Sequence, residues 1–238
     1  MALPKLNTPT YELEIPSTDE KIKYRPFLVK EEKILMMAME AGKSSDITGA
    51  VKEIVNECTF GELDISKLPM FDVEYLFLNI RAKSVGEMSK LKILCPDDKE
   101  TYADIEVDLT KVQVQVGEDH TNKIKVDPKI MMEMKYPSLE QFIKNNFDFN
   151  NQNAMDQSFD LIASCIDKIY TEDEVWSTSD VTKKEVTEFL ESMNSSQFKD
   201  IEKFFETMPK LSHKIQITNP KTKVESEVVL EGLTSFFG

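Results

Sequence analysis

The chain has 238 residues, 40% hydrophobic and 30% charged, with a net charge of −14; that length can bury a sizeable core, as one large domain or two small ones. No apolar run approaches the roughly 20 residues that span a bilayer, and no Lys/Arg cluster is dense enough to displace counterions from a duplex, so neither a membrane segment nor nucleic acid as a partner is expected. Met1-Ala2-Leu3-Pro4-Lys5 lacks the apolar core of a signal peptide, and synthesis in the cytosol is expected.

Thr10–Ile15 and Lys21–Tyr24 alternate with period two and read as a strand pair joined by the turn residues Pro16-Ser17-Thr18-Asp19-Glu20. A helix is predicted from Lys30 to Ala41, stopped by Gly42. Ile47, Ala50, Val51, Ile54, Val55 and Cys58 then recur at helical spacing, with Ser45 or Asp46 as the N-cap. A third helix runs from Asp72 to Lys83, with Val73, Leu76, Phe77 and Ile80 on one face. Strands follow near Lys90–Leu94, Thr101–Val107, Val112–Val116 and Ile124–Val126. They come after the helices rather than alternating with them, which predicts an α+β class with helices around antiparallel hairpins.

The second half reads as helical. Ser138 caps a short helix through Leu139, Phe142 and Ile143, and Asn145 to Asn153 is an Asn-rich break. Met155, Phe159, Ile162, Ile166 and Ile169 make the next amphipathic helix, followed by a polar connection from Tyr170 to Asp180 that holds the only tryptophan, Trp176. Two further helices carry Val186, Phe189, Leu190 and Met193, and then Phe198, Ile201, Phe204, Phe205 and Met208, with Pro209 as the stop. The expected division is residues 1–135 and 136–238, with one domain overall as the alternative.

The chain end echoes an earlier segment. Lys90-Leu91-Lys92-Ile93-Leu94-Cys95-Pro96 matches Lys214-Ile215-Gln216-Ile217-Thr218-Asn219-Pro220, and the parallel continues to Leu109 and Leu233. Each copy reads as strand, polar turn and strand, and the two are expected to pair into a shared β unit. A zinc ribbon places Cys-x-x-Cys at both such turns. Here those four positions are Cys95, Asp98, Asn219 and Thr222, and one thiolate does not make a structural zinc site. The hairpins are therefore degenerate and ribbon-like, lacking metal ligands, and no cofactor or metal is implied. The three cysteines, Cys58, Cys95 and Cys165, are too dispersed for a disulfide framework, and Cys58 and Cys165 fall on apolar helical faces.

No catalytic signature stands out. The two histidines, His120 in a polar turn and His213 at the start of the terminal strand, lack metal or triad spacing. Glu172-Asp173-Glu174 and Asp97-Asp98 read as solvated turns. Two features point to protein binding. Methionines cluster at Met36, Met37 and Met39 and at Met131, Met132 and Met134, as on adaptable surfaces, although core filling also accounts for them. Phe236-Phe237 can serve as a docking anchor or pack back on the Phe204/Phe205 helix.

Several blocks together resemble the baseplate hub proteins of T4-like contractile-tailed phages. They are Leu3–Leu13 with Lys23–Lys33, Phe71–Leu78 with Ile80–Glu87, and Gln197-Phe198, Phe204-Phe205, Met208-Pro209 and Leu233 to Phe237. The match weakens between Asn145 and Asp180. The resemblance implies a non-enzymatic protein that acts in hub assembly, or as a structural part of the hub, by contacting other hub or tail proteins. It also implies a location in the host cytoplasm during assembly and in the virion tail. Some relatives carry Cys-x-x-Cys at both hairpin turns, and this chain departs from them at Asp98, Asn219 and Thr222. Two other readings compete: a carboxylate-based cell-wall hydrolase of the hub, which needs two convergent carboxylates in a cleft, and a metal module centred on Cys95.

Overall fold

The structure is a computed structural model that describes residues 6–141 and 154–236. In chain order its elements are β1 (Tyr11–Glu14), β2 (Lys21–Tyr24), α1 (Val29–Ala41), α2 (Ser44–Cys58), α3 (Met70–Val85), β3 (Met88–Leu94), β4 (Tyr102–Asp108) and β5 (Gln113–Gln115). Then come β6 (Lys123–Lys125), β7 (Met131–Met134), α4 (Ala154–Cys165), β8 (Ile166–Tyr170), β9 (Val175–Ser177), α5 (Lys183–Glu191), α6 (Ser195–Thr207), β10 (Lys210–Thr218) and β11 (Glu225–Glu231). The class is α+β, and every described strand pairing is antiparallel. Two compact units form. Unit 1 runs up to Gln115 and resumes at Lys210, while unit 2 runs from Val116 to Pro209. The division thus falls at 115 and 209 rather than at 135, because β10 pairs with β5 through Lys210↔Gln115, Leu211↔Val114 and Ser212↔Gln113.

Unit 1 is organised by α3. Phe71, Val73, Leu76, Phe77, Leu78 and Ile80 are all buried, so this helix is apolar around most of its circumference, as a core helix must be. The α2 face of Ala50, Val51, Ile54, Val55 and Cys58 is buried as its spacing predicts. The helix opens at Ser44 with Lys43 as N-cap, two or three residues earlier than expected and with no side-chain cap. Gly42 ends α1 in the left-handed conformation (φ 67°), its N–H bonded to the Met39 carbonyl at 3.1 Å, where a Cβ would be costly.

Buried polar groups in unit 1 act as staples. Glu31, at the third position of α1, is 1% exposed; it accepts from Arg25 Nη2 and the Leu28 N–H, both at 2.8 Å, and from Lys30 Nζ at 3.1 Å. Burial works to raise its pKa, but those three donors outweigh it and hold the carboxyl at about 2. Asp72, in the first turn of α3, accepts from the Ser17 N–H at 3.1 Å and from Ser17 Oγ, tying the β1–β2 turn to the helix.

Unit 2 is a four-stranded sheet in the order β6-β7-β8-β9. Its core gathers Ile124, Val126, Met132, Met134, Ile162, Ala163, Cys165, Ile166, Val186, Leu190, Ile201 and Phe204. The helix expected to continue through Ile169 stops at Cys165, and Ile166–Tyr170 is a strand. Its backbone groups find partners on both sides, through Met131↔Tyr170 and Met132↔Ile169 on β7 and Ile169↔Trp176 on β9. The Tyr170–Asp180 connection accordingly contains a strand. Helix α5 opens on a capping box, with Glu185 Oε2 accepting from the Thr182 N–H at 2.7 Å and Thr182 Oγ1 accepting from the Glu185 N–H at 3.3 Å. Asn194 and Gln197 cap α6 in the same way, and Gln197 Nε2 also donates to the Val126 carbonyl at 2.8 Å. Ser138 and Gln141 exchange bonds at the start of the next predicted helix; its remainder and the Asn145–Asn153 break lie outside the described residues.

Candidate functional site

The echoed segments fold alike. In the first turn the Cys95 N–H donates to Thr101 O at 2.8 Å and the Lys99 N–H to Cys95 O at 3.0 Å. In the second the Asn219 N–H donates to Val224 O and the Lys223 N–H to Asn219 O, both at 2.9 Å. Lys99 and Lys223 share the left-handed conformation, with φ of 54° and 64°. The second turn is one residue shorter, since Leu94 faces Tyr102 whereas Thr218 faces Glu225. Gly232 restores the offset, so Leu109 and Leu233 each open a 3-10 turn after the second strand.

The two turns lie against each other within unit 1. Cys95, Ala103 and Ile217 form one buried cluster, flanked by Ile93, Ile105, Ile215 and Val228. The hairpins belong to separate sheets, however: β3-β4 stands alone and β10-β11 continues into β5. Across the turn tips Asp97 accepts from Asn219 Nδ2 at 2.9 and 3.1 Å and from Thr222 Oγ1 at 2.5 Å. Those bonds hold the Asp97 carboxyl below the usual carboxylate range, the Asn219 bond contributing most. Asp98 is turned back to its own hairpin, bonded to Thr101 Oγ1 at 2.6 Å and to the Thr101 N–H at 3.0 Å. Among the described residues no group of three or more His, Cys, Asp or Glu side chains could hold a metal ion. A hydrogen-bonded clasp centred on Asp97 occupies the place where a ribbon would put its metal.

Other chemistry-bearing residues have structural partners. His120, although it lies in a polar turn, is half-buried: Nδ1 is 2.9 Å from Thr207 Oγ1 and Nε2 is 3.0 Å from Tyr136 Oη. Its ring lies 5.4 Å from that of Phe204, and burial lowers its pKa. His213 lies within β10, which begins at Lys210. On α3, desolvation raises Asp72 to about 6 and Glu74 to about 7. Their positions two residues apart point them to different sides of the helix. Asp72 serves Ser17, and Glu74 accepts the Leu233 N–H at 3.0 Å, so this pair does not converge as hydrolysis requires.

The residues singled out for partner binding divide by exposure. Met132 and Met134 are 0% and 2% exposed in the unit 2 core, with Met131 half-buried beside them. Strand alternation turns Met132 and Met134 to the same inner face. Phe236 is fully buried in unit 1, its carbonyl accepting Ser89 Oγ at 3.0 Å, while Phe237 lies outside the described residues. The α1 methionines Met36, Met37 and Met39 are exposed.

A surface not anticipated from sequence lies in unit 2. A cavity of about 270 Å³ opens between the sheet and α5, lined by Ile130, Ile169, Trp176, Val181, Val186 and Phe189 among others. Beside it runs β9, the last strand of its sheet. Only the apolar pair Val175-Trp176 inside a polar stretch hinted at it.

No helix among the described residues is long and apolar enough to cross a membrane. No curated protein and no solved structure matches the chain. A family model described as T4 bacteriophage base plate protein matches residues 8–238. It spans both units and both hairpins, from just before β1 to the last residue. The chain belongs to the family of T4 bacteriophage base plate proteins.

Proposed function

We propose that the protein is a non-enzymatic component of the baseplate hub of a T4-like contractile tail, acting in hub assembly or as a structural part through contacts with other hub and tail proteins. The carrying observation is the family match over residues 8–238, which makes the chain a baseplate protein. The hub assignment rests further on the combined sequence blocks around Tyr11, Phe71 and Phe198. A non-enzymatic role is supported by the clasp at the hairpin turns and by Asp72 and Glu74, whose carboxylates each bind a structural partner. The protein assembles in the host cytoplasm and acts at the tail.

The test is affinity capture of the tagged full chain from infected cells, paired with mass spectrometry of purified tails. Recovery of hub proteins with the chain, by either route, is the expected result. Recovery of peripheral baseplate proteins without hub proteins overturns the hub assignment, and cell-wall cleavage by the purified chain overturns the non-enzymatic one.

A further inference from the structure

We infer that the β9 edge of unit 2, with the apolar cavity beside it, is a docking site for an extended segment of a partner protein that alternates apolar and basic residues. This deepens the proposed function and rests on its premise that the protein works through protein contacts.

The backbone comes first. The Thr171 N–H donates to Glu174 O at 2.8 Å and the Thr178 N–H to Asp167 O at 3.0 Å. In an antiparallel ladder bonded pairs recur at every second residue, so Trp176 is the β9 residue bonded to its β8 partner Ile169. The N–H groups of Val175 and Ser177 and the Val175 carbonyl therefore face outward, while the Ser177 carbonyl is taken by the Asp180 N–H at 2.9 Å. Among the described residues no strand pairs with that outer edge. An open edge is a template for one more strand.

The cavity says which side chain such a strand would carry. Trp176 lies opposite Ile169 in the register, so both stand on the sheet face that α5 covers. A strand added outside β9 places its central side chain on that same face, next to Trp176 and over Val186 and Phe189. At about 270 Å³ the cavity is just below the roughly 300–1,000 Å³ range of small-molecule sites, and it suits one or two apolar side chains. Val175 and Trp176 remain 66% and 40% exposed without such cover.

Charge selects the flanks. From Tyr170 to Thr182 the chain carries four carboxylates, Glu172, Asp173, Glu174 and Asp180, and no lysine or arginine. Three lysines on the flanking elements are already paired: Lys168 with Glu133 at 3.1 Å, Lys183 with Asp160 at 2.7 Å and Lys184 with Glu188 at 3.5 Å. An incoming segment with basic residues flanking its apolar anchor meets this rim favourably, and an acidic one is repelled.

Trp176, the only tryptophan, reports on the site. The probe is a seven-residue peptide alternating lysine with valine and a central phenylalanine, titrated into the full chain. A saturable blue shift of tryptophan emission is expected, weakening with salt and absent when glutamate replaces lysine in the peptide. Val175→Pro removes an outward N–H without touching the β8 ladder, and the expected result is a loss of affinity of about tenfold or more with an unchanged circular dichroism spectrum. Glu172→Lys with Glu174→Lys should cost a similar factor at low salt. The proposal is overturned by no binding, by equal binding of the acidic peptide, by affinity indifferent to these variants, or by a concentration-dependent self-association that assigns the edge to a second copy. If tails incorporate the Val175→Pro chain as well as the wild type, the docking site falls while the baseplate function stands. Absence of both chains from captured hub complexes and from tails counts against the function itself.

Discussion

Unit 1 ties distant segments together through buried polar side chains, whereas unit 2 adds a run of ring-on-ring contacts. In unit 1, the carboxylates of Glu31, Asp72 and Glu74 and the amide of Asn219 each join segments far apart in sequence or fix a helix start. In unit 2 polar joints such as Gln197 to the Val126 carbonyl and His120 to Thr207 stand beside aromatic ones. Phe204 stacks on Tyr136 at 5.7 Å and meets Phe205 edge-on at 5.1 Å, and Phe159 stacks on Phe198 at 5.5 Å. Polar staples give a fold whose stability depends on protonation, whereas ring packing gives one that depends on volume. The contrast shows how one chain can stabilise two regions against different insults.

The sharpest way to break the comparison is Phe204→Ala. Removing a ring that is 1% exposed should destabilise unit 2 by about 3–5 kcal/mol; hydrogen exchange read by mass spectrometry should find the loss concentrated between 116 and 209. Glu31→Ala is the counterpart in unit 1. It strands the Arg25 guanidinium, whose side chain is 13% exposed, and should cost about 2–3 kcal/mol in denaturant unfolding, at or below the low end for a broken buried pair because Lys30 and Arg25 retain some access to water. Asn219→Ala should cost about 1–2 kcal/mol, since this 1%-exposed side chain serves Asp97 and the Lys221 and Thr222 N–H groups. A double-mutant cycle with Asp97→Ala should return a coupling energy; strict additivity would show that the clasp holds nothing.

The gentlest test is pH, and there the units should move in opposite directions. Asp72 and Glu74 keep their protons to about 6 and 7 when folded, against ordinary values of 3.8 and 4.5. Between those limits the folded state binds more protons, so unit 1 weakens as pH rises from about 4 towards 7. Glu31, at about 2 instead of 4.5, has the reverse sign: its contribution is lost as pH falls from about 4.5 towards 2. His120 resists protonation below its usual 6.5, so unit 2 weakens as pH falls through that value. Exchange protection followed from pH 7 to pH 5 should therefore rise in unit 1 and fall in unit 2. A common direction in both, or a Glu74→Gln variant with the wild-type slope in unit 1, would contradict this assignment.

Local signals were readable in the sequence wherever one element carried the whole pattern. The buried face of α2, the α1 stop at Gly42 and the strand–turn–strand reading of both echoed segments depend on neighbours within a few residues. What failed depends on partners elsewhere. Ile162, Ile166 and Ile169 fit helical spacing, yet Ile166 and Ile169 belong to a strand because β7 and β9 flank it. Met131-Met132-Glu133-Met134 has little β propensity and pairs because β6 and β8 are there to receive it. The same limit applied to the sites. Counting ligand positions reached Cys95, Asp98, Asn219 and Thr222 but passed over Asp97, whose role exists only once the second turn arrives. The β9 edge was hidden by Glu172-Asp173-Glu174, which made the whole stretch read as solvent.

The pairing of Lys210 with Gln115 bears on the order in which the protein is made. Unit 2 is one unbroken stretch, complete once Pro209 has left the ribosome. Unit 1 must wait for β10 to add to β5 and for the second turn to reach Asp97, more than a hundred residues after the first turn was synthesised. Its early half, with α3 apolar on nearly all sides, spends that interval without its last strands. Translation thus sets a delay in which this core helix depends on what is nearby, and a chaperone or a tail partner arriving then would meet a fold still open to it.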